Sequence, residues 1–404
     1  MINRPIYLNK LLSFKDKEQI KVITGIRRCG KSKLLDMFIE HLKLNGVKTE
    51  NIIKYDFESL KYKDMTYQKL YEEVIEKSKN AAGKIYLFFD EIQKVEQWEL
   101  AINSFRVDLD ADIYITGSNA YLLSSQLATY LSGRYVEIKV LPLSFKEFLE
   151  FNTFAENVTI SQKFALYLRY GGMPMLADFN FNEEAINQVL DGIYSSVIVK
   201  DVINQADVRD IDLLEKIVRF LADNIGNTTS TNNIKNLLLS EKRIDKKTNV
   251  STVDNYINLL KNAFIFYNVS RFDIKGKDYL KTQSKYYIVD IGLRNYLLGF
   301  RNIDRGHILE NIVFLELLRR GYQISIGSIG GKEIDFIASK SAEKIYIQVT
   351  ETLLNENTKK RELAPLLAIK DNYPKIILTT DELFSNSDEN GIKIINIIDW
   401  LLSN

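Results

Sequence analysis

The sequence predicts an α/β protein in which residues 1–150 fold around a parallel β-sheet. Three observations support this prediction. Short apolar segments typical of strands, such as 52–56, alternate with longer segments typical of helices. The apolar run at 85–89 contains no charged residue, as expected for a strand that is buried on both faces of a parallel sheet. A glycine-containing loop joins the apolar segment at 22–24 to a helical segment at 33–39.

That loop, at residues 25–32, reads Gly-Ile-Arg-Arg-Cys-Gly-Lys-Ser and matches the phosphate-binding pattern G-x-x-x-x-G-K-S/T, the P-loop or Walker A motif. Glycines let backbone N–H groups turn inward around phosphate oxygens, and the following helix adds its positive end. We expect Lys31 to reach the β- and γ-phosphates of a nucleoside triphosphate and Ser32 to ligate Mg²⁺. The strand and helix on either side favour this interpretation over a simple tight turn. The residues predicted to contact the nucleotide are Gly25, Ile26, Arg27, Arg28, Cys29, Gly30, Lys31, Ser32 and Lys33.

Polar residues end two further apolar runs. The run at 85–91 ends in Asp90 and Glu91. Because a doubly wound sheet binds its ligand at the carboxyl ends of its strands, we expect Asp90 to hold Mg²⁺ and Glu91 to orient or deprotonate the attacking water. A second run ends in Ser118 and Asn119, which could hydrogen-bond the γ-phosphate or that water. A polar turn is an equally good interpretation of Ser118 and Asn119.

Several of these motifs recur together in one known family. They are the P-loop, Asp56-Phe57-Glu58, Phe-Phe-Asp-Glu-Ile-Gln-Lys at 88–94 with Trp98, Ile-Thr-Gly-Ser-Asn-Ala at 115–120, and Leu131-Ser132-Gly133-Arg134. In these motifs the chain resembles AAA+-type ATPases of bacteria and archaea, many of which are ATP-binding proteins with a C-terminal domain of unknown function. Motifs at 171–174, 196–201 and 287–293 are similar to that C-terminal region, so the resemblance spans nearly the whole chain.

The resemblance implies ATP and Mg²⁺ as ligands. It also places Arg134 where such ATPases carry an arginine that acts on the γ-phosphate, either in the same subunit or from a neighbouring one. An arginine used only for packing or at the surface is a comparable alternative. Action from a neighbouring subunit would require a homo-oligomer.

Composition excludes several classes of protein. With 54 basic and 53 acidic residues the net charge is +1, so any contact with DNA must depend on a local patch. No apolar run approaches the roughly 18 residues of a membrane helix, and the first residues lack a signal-peptide core. A single cysteine, Cys29, excludes an internal disulfide framework and suits the cytosol. We therefore expect a cytoplasmic protein without a membrane partner.

Beyond residue 150 the pattern becomes helical. Residues 151–209 are predicted to form a helical lid and connector, and residues 210–297 a winged helix-turn-helix. Its helices are expected at 213–225, 234–239 and 252–261, followed by wing strands at 264–269 and 285–289. The third helix would begin after a cap at Ser251 and present its first residues to base edges. Asp254 on that helix is a poor neighbour for phosphate, so packing against a protein suits this part as well as DNA does.

Residues 298–404 resemble the PD-(D/E)XK nuclease fold. Glu310 lies on a predicted helix, Asp335 on a strand, and Gln348 and Thr350 on the next strand. Active members have an acidic residue at the Gln348 position, which helps to hold Mg²⁺, and a lysine at the Thr350 position. A glutamine can still offer a carbonyl oxygen, but a threonine supplies no positive charge. The candidate replacements for that lysine are Lys344, Lys359 and Lys360.

The sequence thus predicts a P-loop NTPase (AAA+-like) sheet with a helical lid, then a winged helix, then a degenerate α/β restriction-endonuclease-like domain used for binding. The expected function is Mg²⁺-dependent binding and hydrolysis of ATP, with a DNA-associated role. Two alternatives remain open. One is a nucleotide-gated switch that binds a protein partner with little turnover, and the other is an Mg²⁺-dependent nuclease.

Overall fold

A computed structural model describes residues 4–120, 131, 133–203, 208–240, 249–274, 276, 278–301, 305–384 and 387–403 of the chain. The chain divides into two compact units. The N-terminal unit comprises Met1–Val140 with Asn262–Phe264, and the C-terminal unit comprises Leu141–Lys261 with Ile265–Asn404. Within the described residues, no helix is both long and apolar enough to cross a membrane.

The N-terminal unit contains a five-stranded sheet in the order β2-β3-β4-β1-β5. Every neighbouring pair is parallel, so the five carboxyl ends lie along one edge. All residues of β1 and β3 are buried, which confirms the prediction of an α/β fold with a parallel sheet. The strands are β1 (Ile20–Thr24), β2 (Ile52–Asp56), β3 (Ile85–Asp90), β4 (Ala111–Gly117) and β5 (Tyr135–Lys139).

Helices cover both faces of this sheet, and two adjacent residues of β3 show why the strand is apolar throughout. Successive side chains of a strand point to opposite faces. Phe88 stacks on Tyr114 with ring centroids 4.9 Å apart, and Tyr114 also contacts Phe38. On the other face Phe89 stacks on Phe105 at 5.7 Å. The helices are α1 (Pro5–Phe14), α2 (Lys31–Leu44), α3 (Tyr67–Ser78) and α4 (Trp98–Asp108).

The C-terminal unit begins with helices. A capping box starts the first of them, because the Ser144 hydroxyl accepts from the Glu147 N–H at 3.1 Å and the Glu147 carboxylate accepts from the Ser144 N–H at 2.9 Å. The α-helices of this region are α5 (Phe145–Phe151), α6 (Ile160–Tyr170), α7 (Glu183–Ser196), α8 (Ile211–Asp223), α9 (Thr231–Ser240) and α10 (Val250–Asn262), and a π-helix spans Val197–Ile203.

The three helices predicted between residues 213 and 261 are all present with shifted ends. The expected cap at Ser251 is wrong, because α10 already begins at Val250 and the Thr252 N–H donates to the Asn249 carbonyl at 3.2 Å. The side chains of α10 that were predicted to face the protein core are buried. They are Val253, Tyr256, Ile257 and Leu260. The basic loop at 241–247 lies outside the described residues.

An eight-stranded mixed sheet follows, in the order β12-β13-β11-β10-β9-β8-β6-β7. The hairpin β6–β7 corresponds to the predicted wing strands, and β6 pairs in parallel with β8. The boundary expected between residues 297 and 298 therefore does not separate two sheets. The strands are β6 (Phe266–Asp273), β7 (Asp278–Ile288), β8 (Gln323–Ile329), β9 (Lys332–Lys340), β10 (Glu343–Thr350), β11 (Lys375–Thr379), β12 (Ser387–Glu389) and β13 (Ile392–Asn396), and the helices are α11 (Ile291–Leu298), α12 (Arg305–Arg319), α13 (Glu356–Leu367) and α14 (Ile397–Leu402).

Two motifs that stand out in the sequence meet inside the C-terminal unit. Asp290 caps α11 by accepting from the Leu293 N–H, and its second oxygen accepts from the Gly172 N–H at 2.7 Å. A Cβ on Gly171, whose φ is +75°, would lie 2.3 Å from an Asp290 oxygen, so this turn requires glycine. Burial raises the pKa of Asp290 to about 6, although the backbone N–H groups of Gly172, Leu293 and Gly292 oppose the rise.

Candidate nucleotide-binding site

The loop between β1 and α2 has the backbone conformation of a tight phosphate-binding turn. Gly25 has φ +143° and Gly30 has φ +98°, both in the region that favours glycine. A Cβ on Gly25 would lie 2.1 Å from the carbonyl oxygen of Val140, just after β5. Arg28, an exposed non-glycine residue, also has positive φ, at +68°. Arg28 is thus held in a backbone conformation that a non-glycine residue does not favour, which is common at ligand sites.

Lys31 is the central cation of this loop. Its ammonium donates to the carbonyl oxygens of Gly25 at 2.9 Å and Ile26 at 3.2 Å, and its side chain is almost fully buried. Glu91 is the carboxylate that pairs with it, with Oε1 4.0 Å from Nζ, the outer limit of an ion pair. The positive charge is therefore held mainly by neutral dipoles.

Asp90, the last residue of β3, and Glu91, which follows it, lie at the same edge and are both buried. Thr116 of β4 joins them, because its hydroxyl donates to the Asp90 carboxylate and accepts from the Glu91 N–H at 2.9 Å. Glu91 has φ +52°, which an acidic residue adopts only under constraint. Its Oε2 accepts from the Gln93 side chain at 2.5 Å, so both carboxylate oxygens have a neighbour. Thr116 belongs to the motif at 115–120, but no role was predicted for it from the sequence.

The residues after β4 also contact the P-loop. The Arg27 guanidinium donates to the Ser118 hydroxyl at 3.3 Å and to the Glu58 carboxylate at 3.3 Å. Ser118 and Asn119 are buried, whereas Ser32 and Lys33 are exposed in the first turn of α2. The predicted nucleotide-contacting residues and the two acids therefore lie at one edge of the sheet, the edge formed by the carboxyl ends of its strands.

Cys29 is buried in the P-loop and positioned by two contacts. Its thiol contacts the Val140 carbonyl oxygen at 3.4 Å, and its own carbonyl accepts from the Arg4 guanidinium at 3.0 Å. Burial raises the pKa of the thiol, despite the positive charges of Lys31 and Arg4 nearby. The thiol is consequently a poor nucleophile. Arg4 was not predicted from the sequence, since 25 residues separate it from the loop it supports.

Arg134 lies beside the amino-terminal end of β1, whereas the P-loop follows the carboxyl end of that strand. Its carbonyl accepts from the N–H of Ile20, the first residue of β1, at 2.9 Å. Its side chain is exposed and reaches Asn103 at 3.5 Å. The length of β1, roughly 15 Å, separates this position from the P-loop. Action of Arg134 on a phosphate, in the same subunit or from a neighbouring one, stays a prediction.

The residues predicted for a nuclease-like site come together in the C-terminal unit. Glu310 of α12, Asp335 of β9 and Gln348 of β10 line one cavity of about 990 Å³. The Asp335 N–H donates to the side-chain amide oxygen of Gln348 at 3.3 Å, and the Asp335 carboxyl accepts from the Val349 N–H at 2.9 Å. Burial and the charge of Glu310 raise the pKa of Asp335 to about 8.

None of the lysines proposed to replace the missing one is placed to do so. Lys344 lies over the rings of Tyr346 and Tyr373, and Lys359 pairs with Glu389 at 2.6 Å. Lys360 is exposed and is absent from the cavity lining. The cavity is lined instead by Lys332 of β9, which is exposed, and by Lys285 of β7, whose ammonium lies between the acids.

The fold and the P-loop together define an AAA-type P-loop protein. A family described as an AAA domain matches residues 17–149, and a domain of unknown function, DUF8612, matches residues 161–304. An uncharacterized protein of Haemophilus influenzae is 44% identical over 406 residues, covering 100% of this chain and 99% of the relative. The uncharacterized protein MJ1544 of Methanocaldococcus jannaschii is 33% identical over 430 residues, covering 100% of this chain and 91% of the relative. The chain belongs to the family of AAA-domain proteins that these relatives represent.

Among solved structures, the Walker-type ATPase paby2304 of Pyrococcus abyssi is similar, with a TM-score of 0.50 and 16% identity. The match covers 74% of this chain and 96% of that chain. At this level of identity the match shows a shared fold.

Proposed function

We propose that the chain binds ATP with Mg²⁺ at the P-loop and hydrolyses it. One observation carries this proposal: the Lys31 ammonium is almost fully buried, yet neutral carbonyl groups hold most of its charge. A buried cation is costly unless an anion compensates it, and triphosphate oxygens would do so here. The two acids proposed for the metal and the water, Asp90 and Glu91, lie at the same edge, where β3 ends.

Each residue of the site has a role that its contacts support. Backbone N–H groups of the loop and the start of α2 would bind phosphate oxygens, and Lys31 would move from the loop carbonyls to the β- and γ-phosphates. Ser32 and Asp90 offer the hard oxygen ligands that Mg²⁺ prefers, and bound Mg²⁺ would neutralise charge on those phosphates. Glu91, held by Gln93 and the nearby ammonium, would orient the water and accept its proton.

Two substitutions test this proposal. Lys31→Ala should abolish binding of a fluorescent ATP analogue, because the loop loses its only lysine aimed at the phosphates. Glu91→Gln should keep binding while steady-state phosphate release falls by roughly 10²-fold or more. The matched controls are Lys43→Ala, at the far end of α2, and Glu96→Gln, an exposed acid near the site.

Normal turnover by purified Glu91→Gln protein would refute the assignment of the base. If wild type and Glu91→Gln bind ATP equally and neither releases phosphate, the chain is a nucleotide-gated switch rather than an ATPase. That result would favour a protein partner as the target of the bound state.

For Arg134 we propose a role in a neighbouring subunit, since it lies beside the first residue of β1, whereas the P-loop follows the last residue of that strand. An arginine supplied by a neighbour stabilises the charge on the transferring phosphoryl group. Turnover per subunit should then rise with protein concentration. Mixing Arg134→Ala with Lys31→Ala should restore part of the activity that each lacks alone, because mixed assemblies contain one intact interface. No recovery over a wide range of mixtures would remove Arg134 from the mechanism.

We further propose that α8, α9, α10 and the β6–β7 hairpin act as a winged helix that contacts DNA. Support comes from the first turns of α10, where Ser251, Asp254 and Asn255 are exposed while the apolar residues face inward. The Thr231 hydroxyl donates to the Asp254 carboxylate at 3.1 Å, so this oxygen already has a hydrogen-bond donor within the protein.

The DNA role is tested by phosphate release with and without duplex DNA over a range of salt concentrations. Stimulation that falls steeply with salt supports the role, since DNA contacts release counterions. Asn255→Ala should weaken the effect, and Asn357→Ala, exposed at the start of α13, serves as control. Absence of any DNA effect would instead favour a protein partner for this surface.

A further inference from the structure

The cavity of the C-terminal unit contains a buried lysine that no predicted role explains. Lys285 comes from β7 and is almost completely buried. Its ammonium lies 2.8 Å from Glu310 Oε1, 2.7 Å from Glu333 Oε1 and 3.6 Å from Asp335 Oδ1. Glu310 comes from α12, and Glu333 and Asp335 come from β9. Together with β7, three separate elements therefore meet at one ammonium group.

This ammonium is charged at any physiological pH. Burial lowers the pKa of Lys285, but the negative charges of Glu310, Asp335 and Glu333 outweigh burial, so that its pKa lies above the usual range. Two of the three contacts are short charge-assisted hydrogen bonds. Lys285 therefore places one positive charge among the three acids at the base of the cavity.

The acids of the cluster also have partners other than Lys285. Glu310 Oε1 accepts from the Tyr287 hydroxyl at 2.6 Å, and Glu333 Oε2 accepts from the Thr228 hydroxyl at 3.0 Å. The second oxygen of Asp335 accepts from the Val349 N–H, and Gln348 donates to Glu362 at 2.7 Å. Mg²⁺ requires near-octahedral oxygen ligands at about 2.0–2.1 Å. Here the ammonium occupies the space between the acids, and the described residues contain no group of three or more acidic, histidine or cysteine side chains arranged to hold a metal ion.

We infer that the Lys285 ammonium takes the place of a divalent cation in this cluster, so that the C-terminal unit works without Mg²⁺ and the nuclease alternative is disfavoured. The disagreement with the nuclease fold is specific. Glu310 and Asp335 are retained, Gln348 stands where active members have an acid, and a lysine from another strand has entered between the acids. Removing its charge while keeping its aliphatic stem should convert the cluster into a cation site.

Electron paramagnetic resonance of free Mn²⁺ in solutions of the nucleotide-free full-length protein tests this inference. Wild type and Asp335→Asn should bind the same number of Mn²⁺ ions, since any ion at the P-loop is common to both. Lys285→Met should bind one additional Mn²⁺ at least tenfold more tightly than any ion bound weakly by wild type. Lys285→Arg, which keeps the charge, should behave as wild type, and Lys285→Met combined with Asp335→Asn should lose the additional ion.

Two results would overturn the inference. One is a Mn²⁺ ion that wild type binds and Asp335→Asn does not. The other is a folded Lys285→Met protein, verified by circular dichroism, that gains no ion. If Lys285→Met does not fold, the comparison of wild type with Asp335→Asn still decides the question, because it requires no change at Lys285.

Discussion

Lys31 and Lys285 are both buried lysines, but their surroundings differ in kind. Carbonyl dipoles hold Lys31, with one carboxylate 4.0 Å away. Carboxylates hold Lys285, two of them within 2.8 Å. Burial alone therefore does not identify a functional lysine. A buried ammonium without a close counter-charge indicates an anion site, whereas one that acids neutralise indicates a structural role.

The largest expected effect is on stability at Lys285. Lys285→Met leaves the buried Glu310 and the partly exposed Glu333 without their cation, and breaking one side of a buried ion pair costs about 3–5 kcal/mol. We expect the unfolding transition of the C-terminal unit to move to lower temperature by calorimetry, while ATP binding at the P-loop persists. Exposed Lys332→Met is the matched control. An unchanged transition would mean that Lys285 contributes no net ion pairing.

A second prediction concerns Asp290, a buried acid held by N–H dipoles, as Lys31 is held by carbonyl dipoles. Its pKa of about 6 exceeds the ordinary value of 3.8, so the folded state binds its proton more tightly. Stability should therefore fall as pH rises from about 4 through about 6, by an amount of order 3 kcal/mol. Asp290→Asn keeps the helix cap and should flatten this dependence in melting curves. Equal slopes for both proteins would show that dipoles stabilise a buried charge better than the comparison assumes.

The smallest expected effect is on stability at Lys31. Lys31→Met loses two hydrogen bonds to loop carbonyls but also removes a charge that lacks a close counter-ion, and these contributions oppose each other. We expect the free energy of unfolding of the N-terminal unit to change by about 1 kcal/mol or less. Chemical denaturation without nucleotide measures this, with Lys43→Met as control. A loss as large as that at Lys285 would place the two lysines in one structural class.

The sequence allowed the N-terminal fold and the edge of its site to be predicted, since the signals there are local. The run at 85–91 marks β3 and both acids, and the capping box at Ser144 depends on residues three positions apart. Sheet order is different. The placement of β5 beside β1, which moves Arg134 away from the P-loop, depends on pairing between distant segments.

Lys285 shows the same limit in the C-terminal unit. The search for a replacement lysine considered positions near Gln348 and Thr350, because spacing along a strand or helix can be read directly. Lys285 precedes Asp335 by 50 residues and reaches it only because β6 and β7 join the edge of the sheet that contains β9. No periodicity in the sequence encodes that contact.

The close packing of Gly25 limits which substitutions members of this family can tolerate. Its missing side chain makes room for the Val140 carbonyl oxygen, a contact that the protein makes with itself. Selection on folding therefore preserves this glycine independently of catalysis. A relative that no longer binds nucleotides could replace Lys31 more easily than Gly25. Retention of the first glycine is therefore weak evidence of nucleotide binding, and retention of the lysine is strong evidence.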